Sequence, residues 1–476
     1  MTQPQPIAAP DSRACHDLAD RSGCGGLPLA CTSLACALLP AAAFACALPP
    51  SVVLTLPTGH YITGAALTVA LTALLGAAAR HLPALTPRLI WDRPVLLPVA
   101  ASSYIGFLLF LALVGIGLFG ARDPMHNLMT LVFWTGVWIA LPLGSMLMGN
   151  LWRPINPWTA PVIITRSLLG RTGSLGLSRL GHLPAVLGYA GFVWFQIVSM
   201  SPDDPAVLAS VALTYWLVIF ALAVAEGEEW LDRGEFLTVL MTYLSRISPL
   251  WLDLHGRRAR LMLGWPGAQV LQMPPLTPSA IAFVTLALAA LTFDGLVETF
   301  WWMGLIGENP LEPTGRSAVM GVNSLGLLAA WALTAATILG VIRLGQRLGG
   351  GFATGPVMLS FLAIAAGYHA AHYLVTLLTA GQYTLAALND PLFRGDSLLG
   401  LSEFFVSFGF LTSPTVMPAI YGTQFAAILL AHLLAVFLTL KLAGRDTTAL
   451  SHLPMTALMV AYTTLGLWLL STARTG

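Results

Sequence analysis

Ten stretches of this chain are apolar and long enough to cross a lipid bilayer, at about 60–79, 95–119, 128–149, 183–200, 206–225, 276–296, 321–342, 353–378, 417–440 and 453–472. A spanning helix needs about 20 such residues. Inside hydrocarbon every backbone N–H and C=O has to be satisfied by the segment itself, which restricts spans of this kind to helices. The rest of the composition agrees. Only 9% of the residues are charged and the mean hydropathy is +0.78, whereas a soluble domain carries about 25% charged residues. The expected fold is all-α, a polytopic membrane helix bundle of about ten transmembrane helices. Residues 47–476 form its single helical domain, and the lipid bilayer is its first partner.

Residues 1–46 read as a signal peptide or an N-terminal anchor. A polar, Arg-containing start leads to an apolar run from Leu27, and Ala43 and Ala45 make an A-x-A pattern before Cys46. All five cysteines (Cys15, Cys24, Cys31, Cys36 and Cys46) lie in this segment. The membrane body therefore has no thiolate for a nucleophile, a metal or a disulfide.

Cationic residues test the span count. With the first mature residues outside and alternation thereafter, sixteen Arg and Lys fall in inner loops, and only Arg122, Arg316, Arg394 and Arg474 fall outside. No basic run points to nucleic acid. Short apolar runs at 159–169 and 236–250, which carry Arg166 and Arg246, read as interfacial, and Trp152, Trp158 and Trp230 suit the headgroup level.

Ionisable groups inside spans are costly and mark function by default. In "AAGYHAAHYL", His369 and His372 lie three apart on one helix face. In "LTFDGLVET", Asp294 and Glu298 lie four apart, also on one face. Topology places both pairs in the outer half of the bilayer. Imidazole with carboxylate on facing helices suits a divalent metal such as Zn, Mn or Fe, and the alternative for each histidine is a hydrogen bond to a neighbouring helix. His60 and His126 open spans at the outer interface, where a solvated role is the simpler reading. His432, deeper and towards the inner end, suits a helix-to-helix bond, a proton path or a haem. Glu226, Glu228 and Glu229 read as a solvated, Arg-paired face. Asp390, Asp396 and Glu403 either roof a site or face water. The chain has no G-x-S-x-G, H-E-x-x-H or P-loop motif.

Several segments resemble the bacterial membrane proteins known as fenitrothion hydrolases. They are "ARDPMHNLMTLVFWTGVWIALPLGSMLMGNLWRPINPWTA", "GHLPAVLGYAGFVWFQIV", "PDDPAVLA", "RGEFLTVLMTYLSRISPL", "LTFDGLVET", "HAAHYLVTLLTAGQY" and "LNDPLFRGDSLLG". The resemblance implies an inner-membrane hydrolase of aryl organophosphorus triesters, with a lipophilic small-molecule substrate and a second membrane subunit. Asp294, Glu298 and His372 match its polar positions, while "AFACALPP" departs from its N-terminal pattern. On this reading a metal held by His369, His372 and Asp294 activates water, and Glu298 accepts a proton. Two other classes remain open: a transporter or permease, with the same polar groups lining a path, and a haem or redox subunit with histidines on adjacent spans as axial ligands.

Overall fold

The computed structural model describes residues 58–78, 85–95, 97–255, 258–312, 314–401, 406–444 and 447–472. The signal or anchor segment, its five cysteines and Glu403 lie outside them. The described chain is an all-α helix bundle. Nine helices are long and apolar enough to cross a membrane: α1 (Thr58–Ala78), α2 (Val99–Phe119), α3 (Leu128–Met148), α6 (Pro205–Glu226), α8 (Pro278–Val297), α9 (Arg316–Arg347), α10 (Phe361–Asn389), α11 (Val416–Ala443) and α12 (Ala449–Ser471). Between them lie the shorter α4 (Thr159–Leu168), α5 (Leu183–Ile197) and α7 (Phe236–Ser245).

The expected tenth span is α5, whose 15 residues reach about 22 Å, short of a 30 Å hydrocarbon core. It nevertheless crosses the depth of α8. The backbone N–H of His182, before α5, donates to Ser279 Oγ at the start of α8. At its far end Gln196 reaches Asp294, three residues before the end of α8.

Bonds between loops sort the bundle into two ends. At one, Arg122 pairs with Asp204 at 3.8 Å, Thr130 Oγ1 donates to the Asp203 carbonyl, and Arg316 donates to the carbonyls of Gln196 and Ser199. At the other, Arg166 and Arg171 donate to the carbonyls of Val224 and Ala225, and Thr448 Oγ1 donates to the carbonyl of Leu348. The second end carries most of the described Arg residues and Lys441, and is called the Arg-rich end below.

A small sheet stands at that end, unannounced by the helical pattern. Strands β1 (Arg88–Pro94), β2 (Leu250–His255) and β3 (Arg258–Leu263) are antiparallel in the order β1-β3-β2. Asp92 on β1 accepts from Arg258 at 2.8 Å and Arg260 at 3.2 Å on β3. The Arg258 bond first, then that of Arg260, holds the Asp92 carboxyl below the usual carboxylate range.

Three readings of the Arg-rich end change. Trp152, Trp158 and Trp230 are buried rather than facing headgroups. The indole of Trp152 donates to Thr238 Oγ1 and that of Trp158 to the Trp216 carbonyl. The helix α7, read as interfacial, has nearly every side chain buried. Its N-terminal cap is Glu235, wholly buried, which accepts from the N–H of Leu237 and Thr238, from Thr238 Oγ1 and from the Tyr215 hydroxyl. Burial pushes this carboxyl above its usual range, against the lowering effect of the donated bonds. Glu226 is likewise no solvated face, since it accepts the N–H groups of Leu177 and Ser178 and the Ser178 hydroxyl.

Candidate functional site

Helix α8 is the most buried of the long spans and packs against α5, α9, α10 and α12. One turn from its end it presents Asp294 to α10. His372 Nε2 lies 3.0 Å from Asp294 Oδ2, and the Tyr373 hydroxyl donates to the same oxygen at 2.6 Å. From α5, Gln196 Nε2 donates to Asp294 Oδ2 at 3.5 Å and to the Tyr373 oxygen at 3.1 Å. Side-chain exposure is 8% for His372 and 15% for Asp294, so the pair is enclosed by protein and not by lipid. Three helices thus converge on one carboxylate.

The bonding fixes the imidazole's direction. Asp294 draws a hydrogen on His372 Nε2, leaving Nδ1 of a neutral ring as an acceptor. That Nδ1 is buried and has no hydrogen-bond partner. Beside it stands Gly295, where a Cβ would come within 2.6 Å of the Tyr368 hydroxyl oxygen and 3.7 Å of His372 Nδ1. A side chain at this position would displace the Tyr368 hydroxyl, so Gly295 lets that hydroxyl stand against α8 on the same side as His372 Nδ1.

His369, one turn back on α10, faces elsewhere. It is 2% exposed, and its Nε2 lies 3.1 Å from the Trp138 carbonyl oxygen of α3. Residues Val132–Ala140 of α3 are a π-helix, a wider turn that recurs at functional sites. A carbonyl only accepts, so His369 Nε2 carries the hydrogen, and the ring also stands edge-on to Tyr373 at 4.8 Å. His369 therefore braces the helix that carries His372 and Tyr373. A metal at His369, His372 and Asp294 would require this bond to break. Among the described residues no group of three or more His, Cys, Asp or Glu is placed to hold a metal ion. As placed, His369 does not join Asp294 and His372 in one donor set.

The other expected residues fall in separate places. Glu298 caps the C-terminus of α8, one turn beyond Asp294. His60 is exposed. His126 bonds Asp123 at 2.7 Å and stacks 4.1 Å from the Phe393 ring, near the loop after α10. Asp390 accepts the N–H groups of Arg394 and Gly395 and so caps its own loop. His432, on α11, is 2% exposed, and its Nδ1 lies 2.8 Å from the Ile428 carbonyl. Gln196 and Tyr373 were not singled out from the sequence. Their only signal is a polar atom in a span whose neighbour three or four residues away is ionisable or polar.

This architecture defines a multi-pass membrane protein with an ionisable pair enclosed between its helices. Comparison with known proteins finds no matching family, no similar curated sequence and no similar solved structure.

Proposed function

We propose that this chain is a membrane transporter whose Asp294–His372 pair is the internal site that takes up a cation or coupling proton. The observation that carries this reading is the pair itself. It lies 3.0 Å apart, between apolar spans, and a group so placed usually lines an ion or substrate path. The excess of Arg at one end sets that end in the cytoplasm, and the pair then opens towards the periplasm of a bacterial inner membrane. Asp294 binds the charge, His372 shares it, and Tyr373 and Gln196 hold the carboxylate in place. The test is a rapid pH jump on purified protein in vesicles adsorbed to an electrode. A transient charge displacement is expected, lost in Asp294→Asn. Its absence from the unaltered protein sinks the reading.

A second reading, hydrolysis of an aryl organophosphorus triester, draws on a specific convergence. Asp294, His372, Tyr373, Gln196 and Trp138 come from four of the stretches that carry the resemblance to fenitrothion hydrolases. In that chemistry His372 Nδ1 takes a proton from water, the water oxygen bonds to phosphorus, and the bond from phosphorus to the aryl oxygen breaks to release nitrophenolate. Glu298 passes the proton on to solvent. Membranes holding this chain, with and without a second subunit, would release nitrophenol, and His372→Ala and Asp294→Ala would abolish release. Product formation without pH-jump charge selects the hydrolase; charge without product selects the transporter.

A further inference from the structure

Two small, separate cavities, lined mostly by apolar side chains, lie along α11 and α12, and Tyr368, the neighbour of His372, lines the first. The first, of about 20 Å3, is lined among others by Tyr368, Thr292, Tyr462 and His432. The second, of about 10 Å3, is lined by Thr439, Thr456 and His452, beside Val436. A water needs roughly 10–15 Å3 of such room and two to four polar partners. His432 supplies an unmet one. Its Nδ1 hydrogen goes to the Ile428 carbonyl, which leaves Nε2 as the acceptor of a neutral ring. Nε2 is buried and has no hydrogen-bond partner. An orphaned acceptor at the wall of a cavity of this size fits a water molecule.

We propose that these groups form a proton path through the membrane, which makes the coupling ion of the transporter reading a proton. It starts at the Asp294–His372 pair and passes beside Gly295 to Tyr368, whose ring stacks 5.8 Å from His372. From there it enters the first cavity at His432. The second cavity opens one turn further along α11, at Val436 and Thr439. Thr439 donates to Ser360 Oγ at 2.8 Å. His452 Nε2 lies 2.9 Å from Thr447 Oγ1 in the connection between α11 and α12, so the path ends in solvent at the Arg-rich end. A proton moves by exchange along hydrogen bonds. A proton taken up at His372 Nδ1 is released again from Nδ1 to the Tyr368 oxygen, whose own hydroxyl hydrogen moves on to water in the first cavity. His432 Nε2 then accepts a proton from cavity water and returns it to the next water, while Nδ1 keeps its bond to Ile428. No oxidant or reductant takes part. The titratable groups facing the path are His372 and Tyr368 of α10, Asp294 of α8, His432 of α11, and Tyr462 and His452 of α12.

This inference rests on the transporter reading, and two measurements separate their fates. The full chain is reconstituted in vesicles with a potassium gradient, a potassium ionophore and an internal pH dye. Steady proton flux is expected at several times the rate of protein-free vesicles. His432→Phe, which fills the first cavity, and Gly295→Ala, whose Cβ displaces the Tyr368 hydroxyl, each lower it by about tenfold. Ala is a better helix former than Gly, so loss in Gly295→Ala reflects the displaced Tyr368 hydroxyl rather than a weakened helix. His432→Phe keeps the pH-jump charge, which also reports a folded site. Flux no greater than in protein-free vesicles, or unaltered flux in both variants, overturns the path. If pH-jump charge persists without flux, the path alone fails; if neither appears, the transporter reading fails with it.

Discussion

Glu235 and Asp294 are both buried carboxylates held by a tyrosine hydroxyl, and the difference between their settings separates structure from function. Glu235 caps α7 and takes two backbone N–H groups, the Thr238 hydroxyl and the Tyr215 hydroxyl. Most of its donors are local, and the Thr238 hydroxyl is itself bonded by Trp152 and Asn156. Asp294 is held across the bundle instead. Its partners are side chains from α10 and α5, and the histidine among them keeps a second nitrogen unmet. A satisfied network rigidifies, and an unmet buried atom is the place where a ligand or proton enters.

That contrast breaks most sharply under exchange of the two carboxyls. Asp294→Asn is expected to cut pH-jump charge by more than about tenfold, because an amide does not take up the proton that a carboxylate does. Its thermal midpoint stays near that of the unaltered protein, because the amide still accepts from Tyr373. Glu235→Ala strands four donors and removes a helix cap, costing about 3–5 kcal/mol of stability; a much lowered midpoint with unaltered charge in the surviving folded fraction is the expected pair of readings. If Glu235→Ala instead abolishes charge at full stability, the division between the two ends is wrong.

His369→Phe sharpens the comparison further. It leaves the Trp138 carbonyl without its donor, a cost of about 1–3 kcal/mol, and lowers the midpoint while pH-jump charge remains. Loss of stoichiometric bound metal on this substitution, measured on purified protein, would instead restore His369 as a ligand. The smallest effect belongs to Asp92. Its folded carboxyl titrates below its unfolded value, so the stabilisation it brings is present above the ordinary Asp value near 3.8 and fades as pH falls through the lowered folded value. Asp92→Asn therefore speeds amide exchange of β1 and β3 at neutral pH and leaves it unchanged in strong acid.

The parts legible in the sequence share one physical origin. Spans follow from apolar length, and the two ends follow from where Arg is tolerated. Asp294 and His372 stand out because an ionisable group amid Leu, Ala and Phe has few reasons to be there. What escaped the sequence depends on partners distant along the chain. Gln196 carries no charge and looks like any amide in a span until α5 is seen beside α8. His369 resembles His372 in spacing, and only the carbonyl of α3 distinguishes brace from reactive group. The β1-β3-β2 sheet joins segments more than 150 residues apart, which no local pattern announces. Glu226, taken with Glu228 and Glu229, reads as a solvated acidic run because charge in a loop ordinarily faces water.

The π-helix of α3 has a consequence for the phase of the whole span. At its close the N–H of Leu141 bonds the carbonyl of Gly136, five residues back, so each widened turn holds more residues than an α-helical one. One surplus residue rotates everything after it by about 100° relative to a uniform helix. Residues 128–131 and 141–148 therefore present faces that a single helical wheel would set apart. Deleting one residue between Val132 and Ala140 would rewind the span. The half before the deletion would keep its packing on α10, and the half after it would turn by a quarter revolution or more, moving Ser145 from its place beside the Leu151 N–H.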